Sequence, residues 1–442
     1  MLWLLAALAV VGSASATPST QVDVLRVDGA IVPAVASYID RGISEAESHE
    51  ASAVIIELST PGGLLSTTED IVRRISEAQV PVVVYVQRGG WAASAGAFIT
   101  LAADVAAMGP GSVLGASTPI AGGGEELSED ERNKAINLAS QWIKSIAEEH
   151  GRNEEAAMAA VTQAASFTPS EALGISDLSP HNQEILKDVK RLDPPLIDVM
   201  AEDVDELIDK LAAGISLASG DTFSIQGGAR NDVGMTTVEK FLHAISDPNI
   251  AYILLTLATT GLVLEFVNPG SILPGVVGAI SLILAFYSLA VLEASWAGVF
   301  FIILGFILFI LEAFVTSYGM LTIGGVTSLV MGSIILFGGG PELFHIDWWV
   351  IAIVVILFAA IFIFVLGAII RSHRRRPTTG KEGLIGKTAV AHTALDPTGM
   401  VLVEGELWTA SSEAGRIEVG EEVTVTKVEG LKLKVAKKQQ GG

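Results

Sequence analysis

From residue 241 to residue 370 the chain contains neither lysine nor arginine, and five apolar runs fill most of that stretch, at about 251–268, 271–292, 296–316, 318–338 and 347–370. Each is close to the ~20 residues that a helix needs to cross a bilayer. A chain with this pattern reads as an integral membrane protein, and its mean hydropathy of +0.53 follows from that one block. Only Asn268-Pro269-Gly270 separates the first two runs, which leaves a re-entrant first segment open. Arginine returns at once after the last run, at Arg371, Arg374, Arg375 and Arg376. Basic residues flank the cytoplasmic ends of spans, so the C-terminal end is expected in the cytoplasm. The same placement argues against reading the cluster as a nucleic-acid patch. Glu265, Glu293 and Glu312 adjoin predicted turns and read as interfacial acids at helix ends, not as an ion path.

Residues 2–11 are apolar and lead to Ala14-Ser15-Ala16, a small-x-small cleavage pattern, so residues 1–16 read as a signal peptide, although a basic leading segment is missing. An exported N-terminal domain and a cytoplasmic C-terminus require an odd number of crossings, in agreement with five. The net charge of -22, from 27 basic against 49 acidic residues, disfavours nucleic acid as a partner. There is no cysteine, which excludes thiolate chemistry, and the seven histidines are scattered without metal-ligand spacing. Neither a metal nor another cofactor is expected.

The exported part alternates strand and helix patterns. Val22–Val27 and Ala53–Leu58 read as strands with a helix over 33–48 between them, and Val80–Val86 reads as a further buried strand, the order of an α/β fold with a parallel sheet. Loops at the carboxyl ends of such strands build sites. Two loops fall there, Ser59-Thr60-Pro61-Gly62-Gly63 and Trp91-Ala92-Ala93-Ser94-Ala95-Gly96. Ser94 would open a helix, with the Ala95 amide pointing outward and small neighbours allowing close approach of a substrate backbone. Gly62 and Gly63 can turn their amides toward a carbonyl oxygen. The plainer alternatives are a capping serine and a glycine turn. A serine nucleophile needs a base, and His49, His150 and His181 have no matching acid pattern. On a helix over about 128–150, Ile136, Ala139, Ile143, Ile146 and Ala147 form an apolar stripe; Lys144 flanks it and Lys134 projects from nearly the opposite side. A half-buried lysine can serve as base if its pKa falls toward neutrality.

Thr60-Pro61-Gly62-Gly63, Ala92-Ala93-Ser94-Ala95-Gly96 and Trp142-Ile143-Lys144-Ser145-Ile146-Ala147-Glu148-Glu149-His150-Gly151-Arg152-Asn153 together resemble the full-length NfeD family of membrane-bound serine endopeptidases with a Clp-protease-like domain. Thr168-Pro169-Ser170-Glu171-Ala172-Leu173-Gly174 and the C-terminal region extend the resemblance over nearly the whole chain. It implies a Ser94–Lys144 dyad, with Lys134 as the alternative base because some relatives carry arginine where Lys144 stands. It implies an oxyanion hole from Gly62 and Gly63, to which Ala95 would add. The acidic Gly122-Gly123-Gly124-Glu125-Glu126 stretch between serine and lysine departs from the family pattern. The implied substrate is a hydrophobic segment of a membrane protein, with stomatin-like proteins as substrate or partner and a homo-oligomer as the assembly.

Beyond residue 215 the expectation is a linker over 216–249 that closes in an amphipathic approach to the bilayer at Phe241–Pro248. The membrane domain follows over 250–370, and 371–442 holds the basic segment and five short strands, at 384–395, 400–403, 407–410, 422–428 and 431–436. Five strands in so short a span suggest a small β-barrel, similar to the family's OB-fold module. Trp408 is its one aromatic, so protein contact is favoured over nucleic acid. The fold expected is therefore multidomain: a Clp-protease/crotonase-like α/β domain over 17–215, a polytopic helical domain in the cell membrane, and an OB-fold barrel, with the protease domain extracytoplasmic and the barrel cytoplasmic. Two rivals stand beside the endopeptidase: a non-catalytic organiser of stomatin-like assemblies, and an acyl-CoA-binding crotonase-like domain, which the export signal disfavours.

Overall fold

The computed structural model describes residues 21–120, 128–267, 272–292, 294–315, 317, 319–337, 346–358, 360 and 381–438. The expected signal peptide, the acidic stretch at 122–126, Glu293, the arginine cluster and the end of the last apolar run lie outside them. In chain order the first region runs β1 (Gln21–Asp28), α1 (Pro33–Ser48), β2 (Ala53–Ser59), α2 (Leu65–Ser76), β3 (Val82–Val86), β4 (Trp91–Ala93), α3 (Ala95–Leu101), β5 (Val105–Met108), β6 (Val113–Gly115), α4 (Glu129–Glu149) and α5 (Glu154–Thr162). It continues through β7 (Ser166–Phe167), α6 (Pro169–Ala172), α7 (Pro180–Ile185), β8 (Val199–Met200), α8 (Val204–Ala213), β9 (Ile215–Ser216), β10 (Thr222–Phe223), β11 (Ala229–Val233) and α9 (Thr237–Ile245).

Six strands form one parallel sheet in the order β11-β1-β2-β3-β5-β8. β3 is buried at every position and β2 almost so, because helices cover both faces; alternation is therefore absent and the strands read as continuous apolar runs. β4, β6 and β7 make a smaller sheet beside the carboxyl edge. Two side chains join distant pieces of this domain. Arg152 and Asp198, each 1% exposed in the side chain, pair at 2.7 Å. Arg152 also donates to the carbonyls of Leu101 and Ala103, while Asp198 accepts from the amides of Ala106 and Ala218.

The segment 216–249, expected as a linker, belongs to the domain instead. β11 pairs with β1 from Gln21↔Ala229 to Leu25↔Val233, extending the sheet beyond residue 215. α9 then docks on α1, where Arg41 grips Glu239 with two bonds of 2.8 Å and the Tyr38 hydroxyl donates to the Val233 carbonyl. The hydrogen bonds from Arg41 hold the Glu239 carboxyl down to about 2 from 4.5. Val238 and Phe241 stay exposed, so the amphipathic character expected of this approach is present on an anchored helix.

Among the described residues five apolar helices follow, α10 (Pro248–Val267), α11 (Ile272–Val291), α12 (Trp296–Phe314), α13 (Met320–Leu336) and α14 (Trp348–Phe358). α10 with α11, and α12 with α13, pack closely through glycine: a Cβ on Gly261 would lie 2.8 Å from the Gly278 Cα, and one on Gly298 would lie 2.4 Å from the Leu336 Cα. Asn249 and Asp347 bond each other at the starts of α10 and α14, and the Ser333 hydroxyl on α13 meets Tyr252 near the start of α10 at 2.8 Å. Glu312 caps α13, accepting from the amides of Gly319 and Thr322, which is the helix-end role its position suggested.

The described residues 381–438 form a second compact unit. Its strands, β12 (Thr388–Ala391), β13 (Thr398–Val403), β14 (Glu406–Ser412), β15 (Glu422–Glu429) and β16 (Lys432–Lys437), close in the order β12-β13-β14-β16-β15, the five-stranded barrel expected for an OB-fold. Inward residues Val401, Val403, Ala410, Val423, Val425, Leu433 and Val435 fill it.

Replacing Arg152 with Met leaves Asp198 buried and unpaired, and should cost about 3–5 kcal/mol, seen as a fall of the first unfolding transition of the full chain in detergent. Glu239→Gln should raise amide exchange across residues 229–245 roughly tenfold by removing a charge-assisted pair. Because the folded pKa of Glu239 lies below the unfolded one, the same anchor should be complete above about pH 4.5 and be lost as the pH falls through about 2.

Candidate active site

β2 and β4 end side by side at the carboxyl edge, which brings the two candidate loops together. The Thr60 amide donates to the Trp91 carbonyl at 2.6 Å, and the Ala93 amide to the Thr60 carbonyl at 3.1 Å. Ser94 follows at once, the single residue between β4 and α3. Turning from strand to helix in one step forces it to φ 51°, ψ -115°, a sparsely populated region for a residue with a Cβ. Its side chain makes no capping hydrogen bond, so the capping alternative is not realised. Small neighbours are required by contact: a Cβ on Gly96 would come within 2.7 Å of Thr60 Cγ2.

Gly62 faces Ser94 directly. At φ +135°, a Cβ there would lie 2.8 Å from the Ser94 Cβ and 3.3 Å from its Oγ. Gly63 lies against the loop after β1, where a Cβ would sit 2.2 Å from the Ile31 carbonyl oxygen, and a short bridge joins the two residues. The two amides differ. The Gly62 N–H donates to Thr60 Oγ1 at 3.0 Å, so the expectation that it serves an oxyanion is not met in this conformation. The amides of Gly63 and Ala95 have no acceptor among the described residues.

Both candidate bases lie on α4, which packs on α3 through Phe98 and Trp142, stacked at 4.6 Å. Lys144 is 38% exposed and its Nζ stands 3.3 Å from Glu154 Oε2, on the helix after its own. Lys134 is exposed and has no carboxylate at ion-pair distance among the described residues. Neither lysine bonds the Ser94 hydroxyl, which has no hydrogen-bond partner among the described residues. The structure thus joins Gly62, Gly63, Ser94 and Ala95, and it does not join a lysine to them. A His–Asp pair that spacing did not suggest does exist, His49 Nε2 at 3.1 Å from Asp23, but Asp23 sits near the amino end of β1, the sheet edge opposite Ser94. Burial lowers the pKa of His150, with the Arg152 charge as the second cause. Two apolar side chains missed as site residues flank the loops, Leu65 at 50% and Trp91 at 57% exposed; their signal was only proximity in sequence to Gly63 and Ser94.

Three family models match consecutive regions: the NfeD1b N-terminal domain over residues 21–184, the NfeD integral membrane domain over 249–368, and the NfeD-like C-terminal, partner-binding domain over 381–437. Membrane-bound protease PH1510 of Pyrococcus horikoshii is 36% identical over 439 residues, covering 95% of this chain and 94% of the relative. The chain belongs to the NfeD family. Membrane protein NfeD1b of Bacillus subtilis is 29% identical over 457 residues, covering 98% of this chain and 96% of the relative. Among solved structures, the 1510-N membrane-bound stomatin-specific protease, a lysine-to-alanine variant in complex with a substrate peptide, is 30% identical with a TM-score of 0.43, and the match covers 52% of this chain and 99% of that one. The relationship to PH1510 over nearly the full length supports peptidase chemistry in this membrane-bound NfeD chain.

If the backbone at Ser94 is strained as its dihedrals indicate, Ser94→Gly should stabilise the domain by about 1–2 kcal/mol. A capping serine would give the opposite sign, a loss of a few tenths of a kcal/mol. Thermal unfolding of the two chains side by side separates them.

Proposed function

We propose that this NfeD-family chain is a membrane-bound serine endopeptidase in which Ser94 is the nucleophile and a lysine of α4 the general base. The observation that carries the reading is the uncapped Ser94 hydroxyl, faced by Gly62 and followed by Ala95, with the amides of Gly63 and Ala95 lacking an acceptor among the described residues. Neutral lysine takes the hydroxyl proton as Ser94 Oγ attacks the peptide carbonyl. The oxyanion is met by the N–H groups of Gly63 and Ala95, the second at the positive end of α3. The lysine then returns the proton to the leaving amine, and water hydrolyses the acyl-enzyme by the same route.

Between the candidate bases, the ion pair with Glu154 works against Lys144. A carboxylate at 3.3 Å holds its Nζ to α5, and a base must be free to reach the Ser94 hydroxyl. Lys134 has no such partner among the described residues and becomes the stronger candidate. The flanking Leu65 and Trp91 give the site an apolar rim suited to a hydrophobic segment of a membrane protein. The 1510-N protease is stomatin-specific, and a stomatin-like protein is the substrate or partner we propose here, with a homo-oligomer as the working assembly. We place the Ser94 domain outside the cytoplasm and the barrel inside, by the arginine cluster and five crossings. One observation favours the non-catalytic organiser as second reading: no base contacts Ser94 among the described residues.

The full chain in detergent should cleave hydrophobic peptides. Ser94→Ala should abolish cleavage with the fold intact. Lys134→Ala should do the same and Lys144→Ala should not; the reverse result returns the base to Lys144. Cleavage that survives Ser94→Ala overturns the assignment, and a folded wild type that cuts nothing with a stomatin-like partner present favours the organiser.

A further inference from the structure

We infer that two buried hydroxyls, those of Thr60 and Ser117, are positioning residues for the two oxyanion donors; the inference rests on the endopeptidase reading. In a trans peptide the carbonyl of one residue and the N–H of the next point in opposite directions. Fixing the oxygen therefore aims the N–H. The Gly62 carbonyl, which shares its peptide with the Gly63 amide, accepts from Thr60 Oγ1 at 2.9 Å and from the Ile31 amide at 2.9 Å. The Ser94 carbonyl, which shares its peptide with the Ala95 amide, accepts from Ser117 Oγ at 3.3 Å and from the Ala97 amide at 3.1 Å. Each free donor is thus opposite a carbonyl held by a side-chain hydroxyl.

Both hydroxyls are out of water, at 0% exposure for Thr60 and 2% for Ser117, so their bonds are not exchanged for solvent. Thr60 does more than hold one oxygen. Its Oγ1 also accepts the Gly62 amide at 3.0 Å, which removes that N–H from the site and leaves the loop with one free donor, Gly63. Ser117 is anchored in turn by its amide, which donates to the Ala160 carbonyl at 2.7 Å; its one hydroxyl hydrogen serves the Ser94 carbonyl in alternation with the Gly115 carbonyl, 3.1 Å away. The Gly115 carbonyl also accepts the Ser94 amide at 3.1 Å, so the end of β6 grips both sides of the nucleophile's backbone. Neither residue contacts the substrate in this scheme. Without them the peptide planes can rotate, and the amides must be reoriented at the moment charge develops.

The test uses the full chain in detergent and a hydrophobic reporter peptide, comparing wild type, Ser94→Ala, Thr60→Val, Thr60→Ser and Ser117→Ala for kcat and KM, with thermal unfolding as the check on folding. Thr60→Val keeps the shape and removes the hydroxyl. It should lower kcat roughly 10- to 100-fold with KM nearly unchanged, and Thr60→Ser should restore most of the loss. Ser117→Ala should show the same split, and it decides the matter if Thr60→Val does not fold. Folded Thr60→Val or Ser117→Ala with wild-type kcat, alongside an inactive Ser94→Ala, overturns the positioning role and leaves the endopeptidase standing. Equal activity of wild type and Ser94→Ala overturns both.

Discussion

The buried pair of Arg152 and Asp198 is the contact on which the geometry of the Ser94 domain depends. Burying two charges costs more than their attraction returns unless the remaining hydrogen-bond capacity is used. Here most of it is used on backbone: the Leu101 and Ala103 carbonyls where α3 ends, the Ala106 amide near the start of β5, and the Ala218 amide after β9, with Nε the one nitrogen of the Arg152 guanidinium left without a partner among the described residues. One guanidinium and one carboxylate therefore fix the C-terminal end of the helix whose N-terminal end carries Ser94. They also tie the junction of α4 and α5 to the sheet. Gly151, at φ +66° and too close to Ser219 for a side chain, and Asn153, which caps α5, complete that junction.

With the far end of α3 held, strain can be kept at its near end. Ser94 is left at a positive φ because Gly115 and Ser117 hold its backbone on one side and Thr60 holds the strand before it on the other. Packing of this density allows few other arrangements: Gly62, Gly63 and Gly96 each lack room for a methyl group. The glycines that suggested an oxyanion loop are thus required first by closeness. Only one of the pair in the loop keeps its amide free.

The buried strands, α1 and α4 were legible from periodicity because their signals are local. β2 and β3 are covered on both faces and carry apolar runs broken only near the end of β2 by Glu57, and of the α4 stripe Ala139, Ile143, Ile146 and Ala147 are buried while Ile136 is half-buried. β11 was not legible. Ala229-Arg230-Asn231-Asp232-Val233 is an edge strand, mostly exposed, whose place is set by backbone bonds to β1 and not by side-chain pattern. The surroundings of the candidate bases were hidden for a similar reason. Helical spacing gives the angle of Lys144 on its own helix, but its partner Glu154 comes from the next one. The Gly151-Arg152-Asn153 frame that marked the family belongs to the scaffold around the buried pair, so it identified the fold more securely than it identified a base.

The placement of β11 and α9 changes what the membrane can do to the site. A flexible linker would let the Ser94 domain swing at any height above the bilayer. Instead, the chain passes from the sheet into α9, which is clamped to α1 by Arg41 and Glu239, and from α9 directly into α10. α1 begins two residues after Ile31, the residue that bridges to Gly63. The Thr60-to-Gly63 loop is therefore referenced to the first apolar helix through α1 and α9, with α9 spanning only about 14 Å at 1.5 Å per residue. Under the proposed endopeptidase function, a site held at a fixed distance from the lipid would meet segments that emerge from the bilayer at a fixed depth. Selection by position can then supplement the weak side-chain discrimination of an apolar rim such as Leu65 and Trp91 provide.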